Sequence, residues 1–116
     1  MNTKELKKKY KDMLEPMGVY RILNQEEHLY LMGSSKNIRA TLNRHRTELK
    51  FGTHRNKALQ ADWNRLGNEA FSFEVVELLP PPKNTSNYDP LEDLNELLEL
   101  ILERGEYNPE KRYQGK

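Results

Sequence analysis

The spacing of apolar side chains divides the chain into helical and extended segments. Residues 3–14 repeat apolar side chains at helical spacing and stop before Pro16, whose ring does not fit a helix interior. Residues 18–23 and 28–32 have the composition and length of strands, and a polar turn separates them. Such a short connection predicts an antiparallel hairpin.

Two helices and another strand are predicted to follow the hairpin. Asn37 can cap a helix that ends near Lys50, and a second helix is predicted from about Arg55 to Leu66. Residues 71–75 alternate Phe and Val with polar side chains, which is the period of a half-buried strand.

The last predicted elements complete an α+β fold. A polar, proline-rich loop over residues 80–90 precedes a helix from Leu91 to about Arg104. The whole order predicts a single domain over residues 1–116, with a small antiparallel sheet of about three strands flanked by helices.

Composition excludes several classes of site. The chain has no cysteine, so a disulfide framework, a thiolate zinc site and a cysteine nucleophile are all excluded. No segment approaches the ~18 apolar residues of a membrane span, and the N-terminus lacks the apolar run of a signal peptide. We therefore expect a cytoplasmic protein with no membrane partner.

The formal net charge of +1 hides a strong division of charge along the chain. Residues 36–65 hold eight basic side chains against two acidic ones, whereas residues 66–116 hold five against eleven. The basic stretch suits a polyanion such as nucleic acid, and a solvated helix face is the alternative interpretation.

An ordered string of motifs over residues 17–78 resembles the GIY-YIG nuclease family. GVY at 18–20 looks like the GIY element, and LMG at 31–33 stands in the place of YIG. Matching segments follow at SSKN (34–37), LNRH (42–45), GTHRN (52–56), LQADWN (59–64) and FSFEVVE (71–77). With the last helix, which matches more weakly, the resemblance covers about 17–104. It implies the family's α+β fold and metal-assisted hydrolysis of a nucleic-acid phosphodiester.

The resemblance carries the family's tyrosine and histidine positions over only in part. Tyr20 matches the first tyrosine, and His54 matches a histidine that several members place near the scissile phosphate. His45 matches another common position, although an interior histidine is the simpler interpretation. Leu31 replaces the second tyrosine, and strand alternation turns the adjacent Tyr30 to the opposite face.

The charged positions of the family's site also differ. Thr41 stands where the resemblance places a helix arginine, and Arg44 is the basic side chain closest to that direction. Leu98 aligns with the metal-binding glutamate, which makes the flanking Glu96 and Glu99 the candidate metal ligands. Their alternative is a solvated acidic helix face.

These departures, together with Gln114 in place of a supporting asparagine, predict nucleic-acid binding, with DNA as the expected partner, and weak or lost hydrolysis. Mg²⁺ or another divalent metal is expected only if the protein is active. The candidate catalytic residues are Tyr20, His54 and Arg44. The candidate nucleic-acid contacts are Lys36, Arg39, Arg44, Arg46, Arg55 and Lys57.

Other functions stay open at this point. One is an active, divergent Mg²⁺-dependent endonuclease. A second is a helix-turn-helix DNA-binding regulator built on the two central helices, and a third is a protein-interaction module that retains only the scaffold. Leu97 and Leu100 add a second apolar edge to the last helix, which suggests a homodimer through that helix.

Overall fold

The computed structural model describes residues 16–80 and 89–113, and these residues form one three-stranded antiparallel sheet with helices on both faces. The predicted α+β class and small antiparallel sheet are confirmed. The predicted N-terminal helix, most of the 80–90 loop and Gln114 lie outside the described residues. The strands are β1 (Gly18–Asn24), β2 (Leu29–Ser35) and β3 (Phe71–Leu78), and the helices are α1 (Ile38–Phe51), α2 (Lys57–Leu66) and α3 (Leu91–Glu103).

The two central helices begin at asparagine caps and end at glycines. The Asn37 side chain accepts a hydrogen bond from the Ala40 amide, and α1 stops at Gly52, whose φ of 75° is left-handed. The Asn56 side chain accepts from the Leu59 amide in the same way. Because Asn56 is the cap, α2 starts at Lys57, two residues later than the predicted boundary.

The sheet order is β2-β1-β3, so β1 is central and β2 is an edge strand. Residues 33–35 extend β2 beyond its predicted end by pairing with Tyr20, Val19 and Gly18 in turn. The pairing also sets the faces of the sheet: Tyr20 and Gly33 lie opposite each other on one face. Tyr30 lies on the other face, as the alternation predicts.

Two hydrophobic clusters fill the space on either side of the sheet. The first lies between the sheet, α1 and α2, and is centred on Ile22, Leu49 and Leu59. The second lies under α3 and contains Val19 and Ile101 among others. The central strand therefore contributes to both clusters, and the sheet separates the α1–α2 side from the α3 side.

Residues 107–113, called here the C-terminal strap, run along the edge strand. Tyr113 donates its amide to the Tyr30 carbonyl at 2.7 Å, and its hydroxyl donates to Asp62 of α2 at 2.7 Å. Arg112 donates to the Met32 carbonyl at 3.1 Å. These bonds satisfy backbone acceptors on the outer edge of β2 and connect that edge to α2.

The homodimer expected through the last helix is not supported. Leu97 is half-buried against the second cluster rather than part of an exposed apolar edge. Leu91 and Leu100 are about half exposed, at 52% and 55%. Among the described residues, no helix combines the length and the apolar character needed to cross a membrane.

Candidate functional site

Tyr20, His45 and His54 form a continuous chain of hydrogen bonds on the α1–α2 side of the sheet. The Tyr20 hydroxyl lies 3.0 Å from Nε2 of His45, and Nδ1 of His45 lies 2.7 Å from Nε2 of His54. All three side chains are buried, so water does not compete for these bonds. One strand, one helix and the connection between α1 and α2 each supply one member.

Gly33 makes room for the Tyr20 hydroxyl. It faces Tyr20 across the β1–β2 pair. A Cβ atom at this position would lie 2.7 Å from the hydroxyl oxygen and 3.0 Å from Cζ. Glycine is therefore required at the end of the LMG motif because the Tyr20 phenol leaves no space for a side chain. Backbone conformation is not the reason, because φ at Gly33 is not positive.

His54 is held by its own backbone and by the start of α2. The Asn56 amide donates to Nδ1 of His54 at 3.0 Å, and the His54 amide donates to Oε1 of Gln60 at 3.0 Å. Gln60 in turn donates to the Leu49 carbonyl and to Asn64, each at 3.0 Å. Within residues 16–80 and 89–113, no buried side-chain nitrogen or oxygen lacks a partner.

The Asn56 amide gives the hydrogen-bond chain a direction. Because Nδ1 of His54 accepts that amide hydrogen, a neutral His54 carries its own hydrogen on Nε2 and donates to His45. His45 then carries its hydrogen on Nε2 and donates to the Tyr20 oxygen. The Tyr20 hydrogen is therefore left to donate to a group outside the chain.

Burial keeps the three groups uncharged at neutral pH. Desolvation, with smaller contributions from His54 and Arg44, lowers the pKa of His45 from 6.5 to about 4. Desolvation also lowers the pKa of His54, while the charge of Glu48 acts in the opposite direction. The pKa of Tyr20 is raised by burial, and nearby Arg44 partly offsets this. Neutral rings are the state that the directed chain requires.

The structure places Arg44 near the Tyr20–His45–His54 hydrogen-bond chain, whereas Thr41 has a different role. Arg44 is exposed, and its charge lowers the pKa of Tyr20, His45 and His54. Thr41 is hydrogen bonded through its hydroxyl to the Ser35 hydroxyl at 2.6 Å. The position of the expected helix arginine therefore carries a neutral, engaged side chain.

The other predicted nucleic-acid contacts differ in their surroundings. Arg39, Arg55 and Lys57 are exposed, and Arg55 is close enough to His54 to lower its pKa. Lys36 pairs with Asp89 at 3.5 Å. Arg46 lies over the Phe73 ring, with its guanidinium carbon 4.4 Å from the ring centroid, and donates to Asn43 at 3.3 Å.

The predicted metal ligands Glu96 and Glu99 are not brought to the Tyr20 site. Helix α3 packs on the opposite face of the sheet through Leu94 and Ile101, and both glutamates lie on its exposed face. With Leu100, they line a shallow surface depression. Metal binding by these two carboxylates stays a prediction that this geometry does not favour.

Leu98, which the resemblance aligns with the family's metal-binding glutamate, packs against the second cluster. The surface of α3 that faces the sheet is therefore apolar where the family would place a carboxylate.

A carboxylate that the sequence reasoning missed lies beside the two histidines. His45, Glu48 and His54 each offer one ligand atom, and these atoms lie within 4.8 Å of one another. His45 and Glu48 are three residues apart on α1 and so share a helix face. The spacing of His45 and Glu48 could have indicated a pair of metal ligands, but only if His54 was already known to lie beside them.

Two solved structures share the fold of this chain. One is the catalytic domain of intron endonuclease I-TevI in a point-mutant form, and the other is the catalytic domain of homing endonuclease I-TevI. Both are 24% identical to this chain with a TM-score of 0.65. The first match covers 85% of this chain and 92% of that domain, and the second covers 84% and 95%. This likeness supports the GIY-YIG fold.

No family model matches the chain. No curated protein sequence matches it either.

Proposed function

We propose that this GIY-YIG-fold domain binds nucleic acid, with DNA as the main partner, and hydrolyses phosphodiester bonds weakly or not at all. One observation carries the proposal: a buried Tyr20–His45–His54 chain lies close to exposed arginines, while Thr41 is neutral and bonded to Ser35. The Tyr20 hydroxyl keeps a hydrogen that it can donate, because His45 donates to its oxygen. The cation that the resemblance leads us to expect at position 41 is missing.

The binding part of the proposal rests on charge. Arg44 and Arg55 both act on the pKa of His54, so two cations flank one end of the hydrogen-bond chain. Arg39 on α1 and Lys57 at the start of α2 are exposed as well. Cations in this arrangement suit a phosphate backbone, and their binding should release counterions.

The weak hydrolysis follows from the chemistry that the site supplies. Cleavage needs a group to activate water, a cation on the phosphate oxygens and a metal at the leaving oxygen. Tyr20 keeps its hydrogen because burial raises its pKa, and it acts as a hydrogen-bond donor rather than as a base. Glu96 and Glu99, the predicted Mg²⁺ ligands, lie on the exposed face of α3, across the sheet.

Salt-dependent binding tests the proposal directly. The anisotropy of a fluorescent DNA duplex would be measured with the full chain from about 50 to 200 mM salt. Replacing Arg44 and Arg55 by Gln should weaken binding and reduce the slope of log K against log salt by roughly 2. Replacing Arg104 and Lys111 by Gln removes the same charge from other parts of the surface and should change neither quantity. Binding that ignores salt, or equal effects of both pairs, would refute the proposal.

An active Mg²⁺-dependent endonuclease is the second candidate, and the intact Tyr20–His45–His54 chain favours it. Nicking of supercoiled plasmid would be followed with Mg²⁺ and with Mn²⁺. Nicking that Tyr20→Phe abolishes, without loss of fold, would replace the first candidate by this one. If Glu96→Gln together with Glu99→Gln also abolished nicking, and a higher Mg²⁺ concentration restored it, the predicted metal role of these residues would be supported.

A further inference from the structure

The geometry points to a site for a borderline divalent transition metal, such as Zn²⁺, formed by His45, Glu48 and His54. Their three ligand atoms lie within 4.8 Å of one another. His45 and His54 are buried, at 7% and 3% exposure, and Glu48 is half-buried. The site is distinct from the predicted Mg²⁺ ligands Glu96 and Glu99, and it goes beyond the proposed function.

The donor set selects the kind of metal. Two imidazole nitrogens and one carboxylate oxygen form a known zinc set that leaves a position open for water. Mg²⁺ prefers oxygen ligands in an octahedral shell and is poorly matched to two imidazoles. The ligands also come from firmly placed segments, because α1 supplies two of them and Gln60 anchors the backbone of the third.

A metal would take the place of the hydrogen between the two rings. Nδ1 of His45 and Nε2 of His54 are now 2.7 Å apart. In a tetrahedral site, with Zn–N distances of about 2.0–2.1 Å, the two nitrogens would be separated by roughly 3.4 Å. The rings therefore need to open by less than an ångström, and Glu48 on the same face of α1 completes the set.

The ring hydrogen of His45 is already on the nitrogen that metal binding requires, whereas that of His54 is not. A metal on Nδ1 of His45 leaves the hydrogen on Nε2, where it already donates to Tyr20. A metal on Nε2 of His54 moves that ring's hydrogen to Nδ1, and the ring stays neutral. Nδ1 then loses the bond that it accepts from the Asn56 amide. We expect this loss to weaken metal binding by about tenfold.

Titration of the full chain with ZnCl₂, and with Co²⁺ as a spectroscopic probe, tests the site. One equivalent should bind, and more weakly than at a four-ligand structural zinc site, because this three-ligand site must break one hydrogen bond. Glu48→Gln and His54→Ala should each weaken binding at least tenfold. Glu48→Gln should not disturb the end of α1, because Glu48 takes part in ending that helix only through its backbone carbonyl. Glu92→Gln, which removes an exposed carboxylate of α3 on the other side of the sheet, is the matched control and should leave binding unchanged.

Two variants of Asn56 test the conflict at His54. Both Asn56→Ala and Asn56→Pro lose the side-chain cap of α2, but only proline also removes the amide hydrogen, and the φ of −81° at this position suits proline. The proline variant should therefore bind Zn²⁺ about tenfold more tightly than the alanine variant. Equal affinities would show that Nε2 of His54 is not a ligand and would overturn the assignment.

A measurement on the unaltered chain keeps the test decisive if the proline variant fails to fold. Nitrogen NMR of the imidazoles should show the His54 hydrogen on Nε2 without metal and on Nδ1 with Zn²⁺. A tautomer that does not change on saturation, or no Zn²⁺ binding at all, would refute the site. DNA binding is read out separately by anisotropy, so either result leaves the proposed function to be judged by itself.

Discussion

Replacing Gly33 by Ala should damage the Tyr20 site in a way that the structure lets us quantify. The new Cβ would lie 2.7 Å from the Tyr20 hydroxyl, 3.0 Å from Cζ and 3.3 Å from Cε1. Backbone strain is not the cause, because φ at Gly33 is not positive. The phenol ring must therefore move, and its 3.0 Å hydrogen bond to His45 is lost with it.

The expected loss of stability from Gly33→Ala is roughly 2–4 kcal/mol. Overpacking a filled site costs about 1–3 kcal/mol, and leaving the buried His45 nitrogen without its partner costs about 1–3 kcal/mol. The alanine also reduces the freedom of the unfolded chain, which returns about 0.4–1 kcal/mol. The net effect stays clearly destabilising.

Urea unfolding measures this change through Trp63, the single tryptophan, which is buried against Phe71. Gly52→Ala is the control: its Cβ would meet nothing within 4 Å, so only its left-handed φ of 75° opposes the change, at about 1 kcal/mol. In the Gly33→Ala background, Tyr20→Phe should cost less than in the parent chain, since it removes the closest clashing atom. Equal costs for the two glycine variants, with no such coupling, would refute this account of Gly33.

Two further predictions concern the groups that surround His54. Gln60→Leu should cost about 2–4 kcal/mol, because the His54 amide and the Leu49 carbonyl lose their buried partner; urea unfolding close to that of the parent chain would contradict this. The folded-state pKa of His45 is lowered to about 4. The contribution of neutral His45 to stability is therefore fully present above about pH 6.5 and is lost as pH falls toward 4. The loss reaches about 3 kcal/mol. The free energy of unfolding should therefore decrease as pH is lowered from about 6.5 to 4. His45→Asn should make this dependence on pH weaker.

Local signals in the sequence were enough to predict most elements of the fold. Asn37 and Gly52 bound α1 through side-chain capping and a left-handed residue, both of which depend only on neighbours along the chain. The extension of β2 over residues 33–35 could not be predicted in this way. Glycine and serine have little preference for strands, and they are extended here because β1 offers them partners.

The site was less predictable because it depends on three separate elements. The sequence favoured an interior histidine at position 45, and His45 is buried, but no local pattern could show that its ring joins Tyr20 to His54. The acidic residues of the last helix show the same limit. Their spacing placed Glu96 and Glu99 together on one face of the helix, yet no local pattern says which face of the sheet that helix covers.

The C-terminal strap also bears on how the protein is made. Tyr113 meets Asn24 across 89 positions of the sequence, and Arg112 meets Met32 across 80. Contacts this distant form only after the chain has given up much of its freedom, so they slow folding. On the ribosome, the hairpin emerges well before the strap, and the outer edge of β2 waits unpaired. Because the residues that cover this edge come much later in the sequence, the growing chain exposes a strand edge that can associate with other chains.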